Sequence, residues 1–209
     1  MRETKKQPTI LISTAYLPPI EYFLRILNAD KVIIEHEETY SKQTFRNRCE
    51  IYSANGKLAL IIPVIRTFGN HTKIRDIKID YSVKWQQEHW RAIVSAYNHS
   101  PFFQYFRDVF EPFFEQKYVF LLDFNSKLLD SVLTLISDPK EISHSRTYNK
   151  ILPGDALDLR SSISPKVKPT IQLPVYKQVF GAKFGFLPNL SIVDLLFNAG
   201  PETADKLSN

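Results

Sequence analysis

The chain has 209 residues, of which 44% are hydrophobic and 23% are charged, as is typical of a globular protein. It contains six glycines and one cysteine, which argues against a glycine-rich phosphate loop and excludes an intrachain disulfide and metal sites built on several thiolates. The 27 basic and 22 acidic residues give a net charge of +5, which suits either simple solubility or a partner that carries phosphates or carboxylates.

The N-terminal region does not have the pattern of a signal peptide. Its apolar run, residues 10–17, is interrupted by Ser13 and Thr14 and is followed by two prolines rather than by a small-residue cleavage site. No stretch approaches the roughly 20 apolar residues that cross a bilayer. We therefore expect a cytoplasmic protein with no transmembrane segment. The absence of a long basic run or a nucleic-acid-binding motif predicts no nucleic-acid partner.

The first 37 residues predict a strand, a helix and a second strand. The run "TILIS" (residues 9–13) is typical of a buried strand, and "DKVIIEHE" (30–37) of another. Between them, Pro18 and Pro19 suit a turn and the first helical position, and apolar residues then recur at helical spacing. This order predicts a compact βαβ unit with parallel strands.

The middle of the chain predicts a hairpin and then helices. Residues 48–66 read as two strands around Asn55-Gly56, a strong hairpin signal, and the alternation in "IRDIKID" (74–80) predicts a further strand. From Trp85 the apolar period becomes helical, with breaks at Pro101 and Pro112. A last helix of this region is expected to be capped by one of two residues, Asn125 or Ser126.

The C-terminal third changes character. Residues 145–174 are rich in Ser, Pro and charge and lack periodicity, which predicts an irregular arm that a core cannot easily hold. A helix then follows, for which Ser191 and Asp194 suggest a capping box and Gly200-Pro201 the end. We predict an α/β core over residues 1–144, with a mostly parallel sheet, a hairpin and an aromatic-rich helical half. The arm follows at 145–174, and 175–209 dock on the core as a helical segment.

The segment "YSKQTFRNRCEI" (40–51) concentrates hydrogen-bond donors. Lys42 and Arg46 share one face whether the segment is a strand or a helix, and two such cations repel each other unless a negative group lies between them. That group is either a protein carboxylate, such as Glu35, Glu37 or Glu38, or a bound phosphate or carboxylate.

The strand–helix turn at residues 16–21 favours the second alternative. Unpaired N–H groups at a helix start attract anions, and the carboxyl edge of a parallel sheet is the usual ligand crevice. Residues 38–48 leave the second strand at the same edge, so the two segments are expected to frame one pocket.

Other candidate sites have structural alternatives. The acidic run at 35–38 could supply a metal, but it lacks helical His-Glu-x-x-His spacing and reads as a solvated strand end. His89 borders an aromatic face, where it is either a structural histidine or a general base. Cys49 reads as an inert buried thiol. The sequence contains no Ser-His-Asp signature, Walker loop or G-x-G-x-x-G motif.

The segments "AYLPPIEYF", "YSKQTFRNRCEI", "LIIPV", "IKIDYSVKWQQEHW", "AYNHSPFFQYF" and "LLDFN" occur in an order that resembles the WbqC-like family over about residues 10–138. The ending "LSIVDLLFNAGPE" is similar to that of the family's Bacteroidetes branch. The resemblance implies a place in bacterial surface-polysaccharide synthesis, and a glycine-transferring role has been suggested for one member. The family's motif residues fall on Tyr16, Leu17, Pro18, Lys42, Asn47, Arg48, Trp85 and His89, among others. Two positions depart from the pattern: Ser13-Thr14 replace Gln-Pro, and Pro19 replaces a Trp.

Our leading hypothesis is a transferase that moves an acyl or aminoacyl group, such as glycyl, to an amino sugar. Its partner is a phosphate- or carboxylate-bearing small molecule, such as a nucleotide sugar. The sequence specifies no cofactor, no metal and no oligomeric state. The candidate catalytic residues are His89, Lys42 and Glu38. The candidate substrate-binding residues are Tyr16, Pro18, Pro19, Tyr40, Arg46, Asn47, Arg48 and Trp85. The alternatives are a non-catalytic binding or assembly protein and a Rossmann-like nucleotide-binding enzyme.

Overall fold

The computed structural model describes residues 8–136, 140–150, 154 and 156–208. Its strands are β1 (Thr9–Ser13), β2 (Lys31–Glu35), β3 (Arg48–Ser53), β4 (Gly56–Ile61), β5 (Val64–Ile65), β6 (Lys78–Ile79), β7 (Ile142–His144) and β8 (Leu157–Asp158). Four of them form a parallel sheet in the order β7-β2-β1-β8, while β3–β4 and β5–β6 form two antiparallel pairs. The predicted α/β fold with a mostly parallel sheet and a hairpin is confirmed.

The α-helices cover one part of the core and supply most of its aromatic side chains. They are α1 (Ile20–Leu27), α2 (Trp85–Tyr97), α3 (Phe103–Phe110), α4 (Leu121–Leu135), α5 (Gly181–Phe184), α6 (Ile192–Ala199) and α7 (Thr203–Ser208). Along the described stretches of the chain, no helix is both long and apolar enough to cross a membrane.

The βαβ unit forms as the sequence predicts. All five residues of β1 pair in register with β2, from Thr9 opposite Lys31 to Ser13 opposite Glu35. Helix α1 begins at Ile20, one residue later than predicted, because the preceding proline is still extended, with ψ near 162°. The β3–β4 hairpin is also confirmed. Its turn residue Gly56 has a φ of 94°, in the region that favours glycine.

The strand predicted at 74–80 is wrong over most of its length. Residues Ile74–Asp76 form a 3₁₀ turn, and only Lys78–Ile79 pair as a strand. Ile74 and Ile77 are both fully buried, so the apolar residues here follow a three-residue turn rather than a two-residue strand period.

Helix α4 begins at Leu121, before the predicted caps at Asn125 and Ser126. Asn125 instead lies inside the helix, where its amide donates to the carbonyl of Arg46 at 2.8 Å and to the hydroxyl of Thr14 at 3.2 Å. A polar residue that suits a cap is used here to join the helix to the sheet edge.

The capping box predicted at α6 is also wrong. Ser191 occupies the cap position, but its hydroxyl donates to the carbonyl of Leu17 at 2.8 Å. Asp194 is fully buried and accepts hydrogen bonds from Tyr97 at 2.8 Å and Tyr176 at 2.6 Å. As predicted, the helix ends at Gly200, whose φ is +56°.

The region 145–174 has few regular elements. Part of it packs on the core, although its composition suggested an arm that a core cannot easily hold. Leu157–Asp158 pair with β1 as the edge strand β8. Leu159, Arg160 and Ile163 are buried. The division of the chain into core, arm and docking segment stays a prediction.

Candidate functional site

Arg46, the centre of the predicted donor cluster, is paired with Glu38. Its Nε and Nη2 donate to the two carboxylate oxygens at 2.8 and 2.6 Å, and Nη2 also donates to the hydroxyl of Ser13 at 2.6 Å. Both side chains are less than one-tenth exposed, at 7% and 8%. A bidentate guanidinium–carboxylate pair neutralises both partners. Arg46 therefore fixes the loop after β2 against β1, and Glu38 is not a free carboxylate.

The carboxyl edge of the sheet has the predicted topology but is closed. The N–H of Tyr16 donates to the carbonyl of Phe45 at 2.8 Å, so the loop 38–48 does lie beside the strand–helix turn. A cavity lined by described residues at this edge measures about 10 Å³, enough for one water molecule. It is too small for a ligand of substrate size.

The start of α1 is covered by the C-terminal segment. The N–H of Ile20 donates to the carbonyl of Leu190 at 3.0 Å, and the N–H of Glu21 to the side-chain oxygen of Asn189 at 2.9 Å. The carbonyl of Pro18 accepts from the N–H of Ile192 at 2.8 Å, and Pro19 forms an antiparallel β-bridge with Ser191. The helix-start donors that suggested an anion site are therefore used within the chain.

The other carboxylates of the acidic run are also paired with cations. Glu35, which is fully buried, accepts from Arg160 at 3.0 Å. Glu37 accepts from Lys73 at 2.6 Å and from Arg75, and the hydrogen bond from Lys73 lowers its pKa. The charge of residues 35–38 is thus balanced internally, which is one of the two alternatives that the sequence left open.

An open groove of about 290 Å³ lies beside this closed edge. It is bounded by the loop after β2, the base of the hairpin and the segment around β5. Its lining residues are Tyr40, Lys42, Gln43, Asn47, Arg48, Ile61, Val64 and Arg66. The structure therefore brings together four of the predicted site residues, Tyr40, Lys42, Asn47 and Arg48, and places the others elsewhere.

The groove carries more positive charge than its neighbours neutralise. Lys42 is exposed and makes no ion pair with any described residue, and Arg66 donates only to the neutral amide oxygen of Asn70, at 2.7 Å. Arg48 lies 3.8 Å from Glu50, a carboxylate that also faces Lys57 at 3.0 Å. The Nε of Arg48 is buried and has no hydrogen-bond partner in the described part of the chain. The arrangement can hold a phosphate or a carboxylate.

Asn47 and Tyr40 shape the groove. The amide of Asn47 donates to the carbonyl of Ile62 at 2.7 Å, and the N–H of Ile62 donates back to the carbonyl of Asn47 at 2.8 Å. These two bonds close the base of the hairpin. Burial raises the pKa of Tyr40, so its hydroxyl is a neutral donor. Near the mouth of the groove, the ammonium of Lys166 donates to the amide oxygen of Gln43 at 2.8 Å.

His89 lies in the aromatic core. Its Nδ1 is 3.0 Å from the hydroxyl of Tyr16, and its ring packs edge-on against Trp85, with centroids 5.1 Å apart. Burial lowers the pKa of His89 to about 4, opposed by a hydrogen bond with the backbone of Ile61. The imidazole is therefore neutral at pH 7. Its hydrogen bond with the backbone of Ile61 joins the imidazole to the wall of the groove that Ile61 forms.

Sequence reasoning missed four residues of this region. Arg66, Ile61 and Val64 line the groove, and Arg160 balances Glu35 from the C-terminal side of the chain. The pairing of β3 with β4 brings Ile61 directly opposite Arg48, so the predicted hairpin was a signal that pointed to this residue. No local pattern pointed to Arg160.

The fold and the groove define an α/β protein with a positively charged surface groove next to a closed sheet edge. The model of the WbqC-like protein family matches residues 14–170 and 159–206, and the chain belongs to that family. It is 28% identical to an uncharacterized protein of Mycobacterium tuberculosis, over 94% of this chain and 96% of the relative. No solved structure is significantly similar to the chain.

Proposed function

We propose that the chain is a cytoplasmic transferase of bacterial surface-polysaccharide synthesis, which moves an acyl or aminoacyl group, such as glycyl, to an amino sugar. Two observations support this: membership of the WbqC-like family and the groove that gathers Lys42, Arg48 and Arg66. The second carries the proposal, because among the described residues only Arg48 of these three cations has a carboxylate partner, Glu50, which it shares with Lys57. Three such cations around one cavity repel each other until an anion binds.

In this proposal the groove binds and orients the substrate. Arg48 and Arg66 each offer a planar fork to phosphate or carboxylate oxygens, and Lys42 offers a mobile point charge. The amine nitrogen of the sugar attacks the carbonyl carbon of the donor, and the leaving group departs with the electron pair of its bond. The amine loses a proton in the same sequence of steps.

His89 and Glu38, the candidate catalytic residues that could accept this proton, do not line the groove. His89 is buried with a pKa of about 4, and Glu38 is bound to Arg46. The lining residues of the groove include no imidazole and no carboxylate. We therefore assign positioning to the groove and treat proton transfer as a step that solvent or the substrate's own groups perform.

Titration calorimetry with UDP- and GDP-sugars tests the binding part of the proposal. We expect saturable binding that weakens about tenfold in Lys42→Ala and more in Lys42→Ala/Arg66→Ala, and that falls with added salt. Lys127→Ala, which removes an exposed cation on α4, is the matched control and should bind as the wild type does. Failure of every anionic sugar to bind would contradict the proposal.

A non-catalytic binding protein is the second candidate. The observation that favours it is that the described lining residues include no imidazole and no carboxylate. Incubation of the protein with an activated acyl donor and an amino sugar, followed by mass spectrometry, separates the two functions. Binding without product formation would favour the second candidate.

A further inference from the structure

Two large apolar side chains are exposed on the segments that form the groove. Ile61 is 52% exposed although it lines the groove, and Phe68 is 64% exposed in the turn that follows Arg66. The N–H of Phe68 donates to the hydroxyl of Thr72 at 2.9 Å, and the carbonyl of Thr72 accepts from Tyr40, a lining residue, at 2.9 Å. The backbone of the turn is therefore joined to the groove through Thr72 and Tyr40, and the side chain of Phe68 is exposed on this turn.

These apolar side chains lie close to cations along the chain or across the hairpin, because Ile61 pairs with Arg48 and Phe68 follows Arg66 by two residues. Lys42, Arg48 and Arg66 line the same groove, and among the described residues only Glu50 opposes one of them. We call the set of Lys42, Arg48, Ile61, Arg66 and Phe68 the groove face. Exposed aliphatic and aromatic groups surrounded by lysine and arginine are the composition that binds at the boundary between lipid headgroups and acyl chains.

We propose that the groove face docks on an anionic bilayer surface, so that the groove receives a phosphate-bearing substrate anchored in that membrane. This inference rests on the proposed function and names the substrate class of the same groove: a lipid-linked sugar phosphate, whose phosphates the UDP- and GDP-sugars of the binding assay reproduce. Phe68 and Ile61 enter the interface, while the three cations meet the lipid phosphates.

Charge complementarity decides against two other occupants. In a symmetric pair of chains the same patch faces itself, which would set Lys42, Arg48 and Arg66 against their own copies. A nucleic-acid backbone would satisfy the cations but would leave Phe68 and Ile61 without an apolar partner. An anionic bilayer offers phosphates and hydrocarbon together.

The test is sedimentation of the protein with vesicles of phosphatidylcholine alone or mixed with phosphatidylglycerol. We expect the wild type to bind the mixed vesicles and not the neutral ones. Lys42→Ala/Arg66→Ala should raise the lipid concentration for half-binding about 25-fold, from roughly fivefold per cation. Phe68→Ser should raise it about tenfold, because burial of a phenyl ring is lost.

Matched controls keep the result specific. Lys127→Ala removes an exposed cation away from the groove face, and Tyr105→Ser removes an aromatic side chain that is 75% exposed on α3. Both should bind vesicles as the wild type does. The substituted side chains are exposed except that of Arg66, which is half-buried, and a thermal transition like that of the wild type should accompany each variant.

The outcomes separate this inference from the proposed function. If the wild type does not bind mixed vesicles but binds UDP- or GDP-sugars, the docking inference is overturned and the groove is a site for a soluble ligand. Equal binding to neutral vesicles, equal loss in the controls, or a groove-face dimer in size-exclusion chromatography that Phe68→Ser dissociates would overturn it as well. Failure with both vesicles and anionic sugars would remove both proposals.

Discussion

Arg46 and Arg48 lie two residues apart, yet the structure gives them different roles. Arg46 is bound to Glu38 inside the protein, whereas Arg48 begins β3 and lines the groove. The sequence placed Arg46 on one face with Lys42, in part by the two-residue period of a strand, and both arginines among the substrate-binding candidates. That period does not apply at residues 42–47, which form a loop, and so the sequence could identify the positive cluster but not its buried member.

Substitution of these two arginines should affect stability very differently. Arg46→Ala leaves the carboxylate of Glu38 buried without its partner and is expected to lower the free energy of unfolding by about 3–5 kcal/mol. Arg48→Ala, which breaks a partly exposed contact, should cost about 1 kcal/mol or less. Urea denaturation at pH 7 measures both. Equal losses would contradict the assignment of Arg46 to the core.

Burial of His89 predicts a pH dependence of stability. Burial lowers the pKa of His89 to about 4 from an ordinary 6.5. Between these two values the unfolded chain binds a proton that the folded chain does not, so stability falls as the pH is lowered from about 6.5 to 4, by about 3 kcal/mol at most. Above pH 7 the imidazole is neutral in both states and contributes no slope.

His89→Gln should therefore flatten this acid dependence in urea denaturation curves recorded at pH 7 and pH 4.5. Some slope will remain, because burial also lowers the pKa of His36 to about 4. His99→Gln, at an exposed position, is the control and should keep the full dependence. An unchanged slope in His89→Gln would mean that this imidazole is protonated in the folded protein.

At the level of elements, helix α6 is joined to the rest of the protein through Asp194. Its carboxylate accepts from the hydroxyls of Tyr97 in α2 and Tyr176, and from the amide of Gln178 at 2.9 Å. Burial raises the pKa of Asp194, while these three donors favour its charged form. The carboxylate thus ties three separate parts of the chain together.

Asp194→Asn should weaken this junction. An amide has one acceptor oxygen, and its NH₂ would face groups that donate hydrogen bonds, so at least one buried donor would lose its partner. We expect a loss of about 1–3 kcal/mol and faster hydrogen exchange within Ile192–Ala199. Asp130→Asn, at an exposed position of α4, should change neither. Unaltered exchange would show that the helix is held without the carboxylate.

The elements that the sequence predicted are those with local signals. Residues 9–37 form the βαβ unit because short β-branched runs flank a helical period, and Asn55-Gly56 sets the hairpin. The errors arose where distant partners decide. Asn125 and Ser191 bind remote backbone groups instead of capping helices, and the two-residue strand at 157–158 exists only because β1 offers an edge.

At the level of the whole molecule, the C-terminal third belongs to the hydrophobic core. Its buried large apolar side chains are Leu159, Ile163, Tyr176, Leu190, Ile192, Val193, Leu195, Leu196, Phe197 and Leu207. Each contributes roughly 2 kcal/mol on burial, and their sum exceeds the net stability of about 5–15 kcal/mol that is typical of a protein.

A chain that ends at residue 144 is therefore expected not to fold. It should show no cooperative thermal transition in circular dichroism, while the full chain does. A cooperative transition in the shortened chain would mean that residues 1–144 form an independent domain, as the sequence predicted. The partners of the C-terminal region are better tested with exposed point substitutions than with truncation.

Anomalous diffraction from crystals soaked in tungstate would locate the anion site, because the metal atom marks where the protein holds a phosphate-like anion. We predict a peak in the groove between Lys42, Arg48 and Arg66. A peak at the start of α1 beside Arg46, or strong peaks elsewhere with none in the groove, would contradict it.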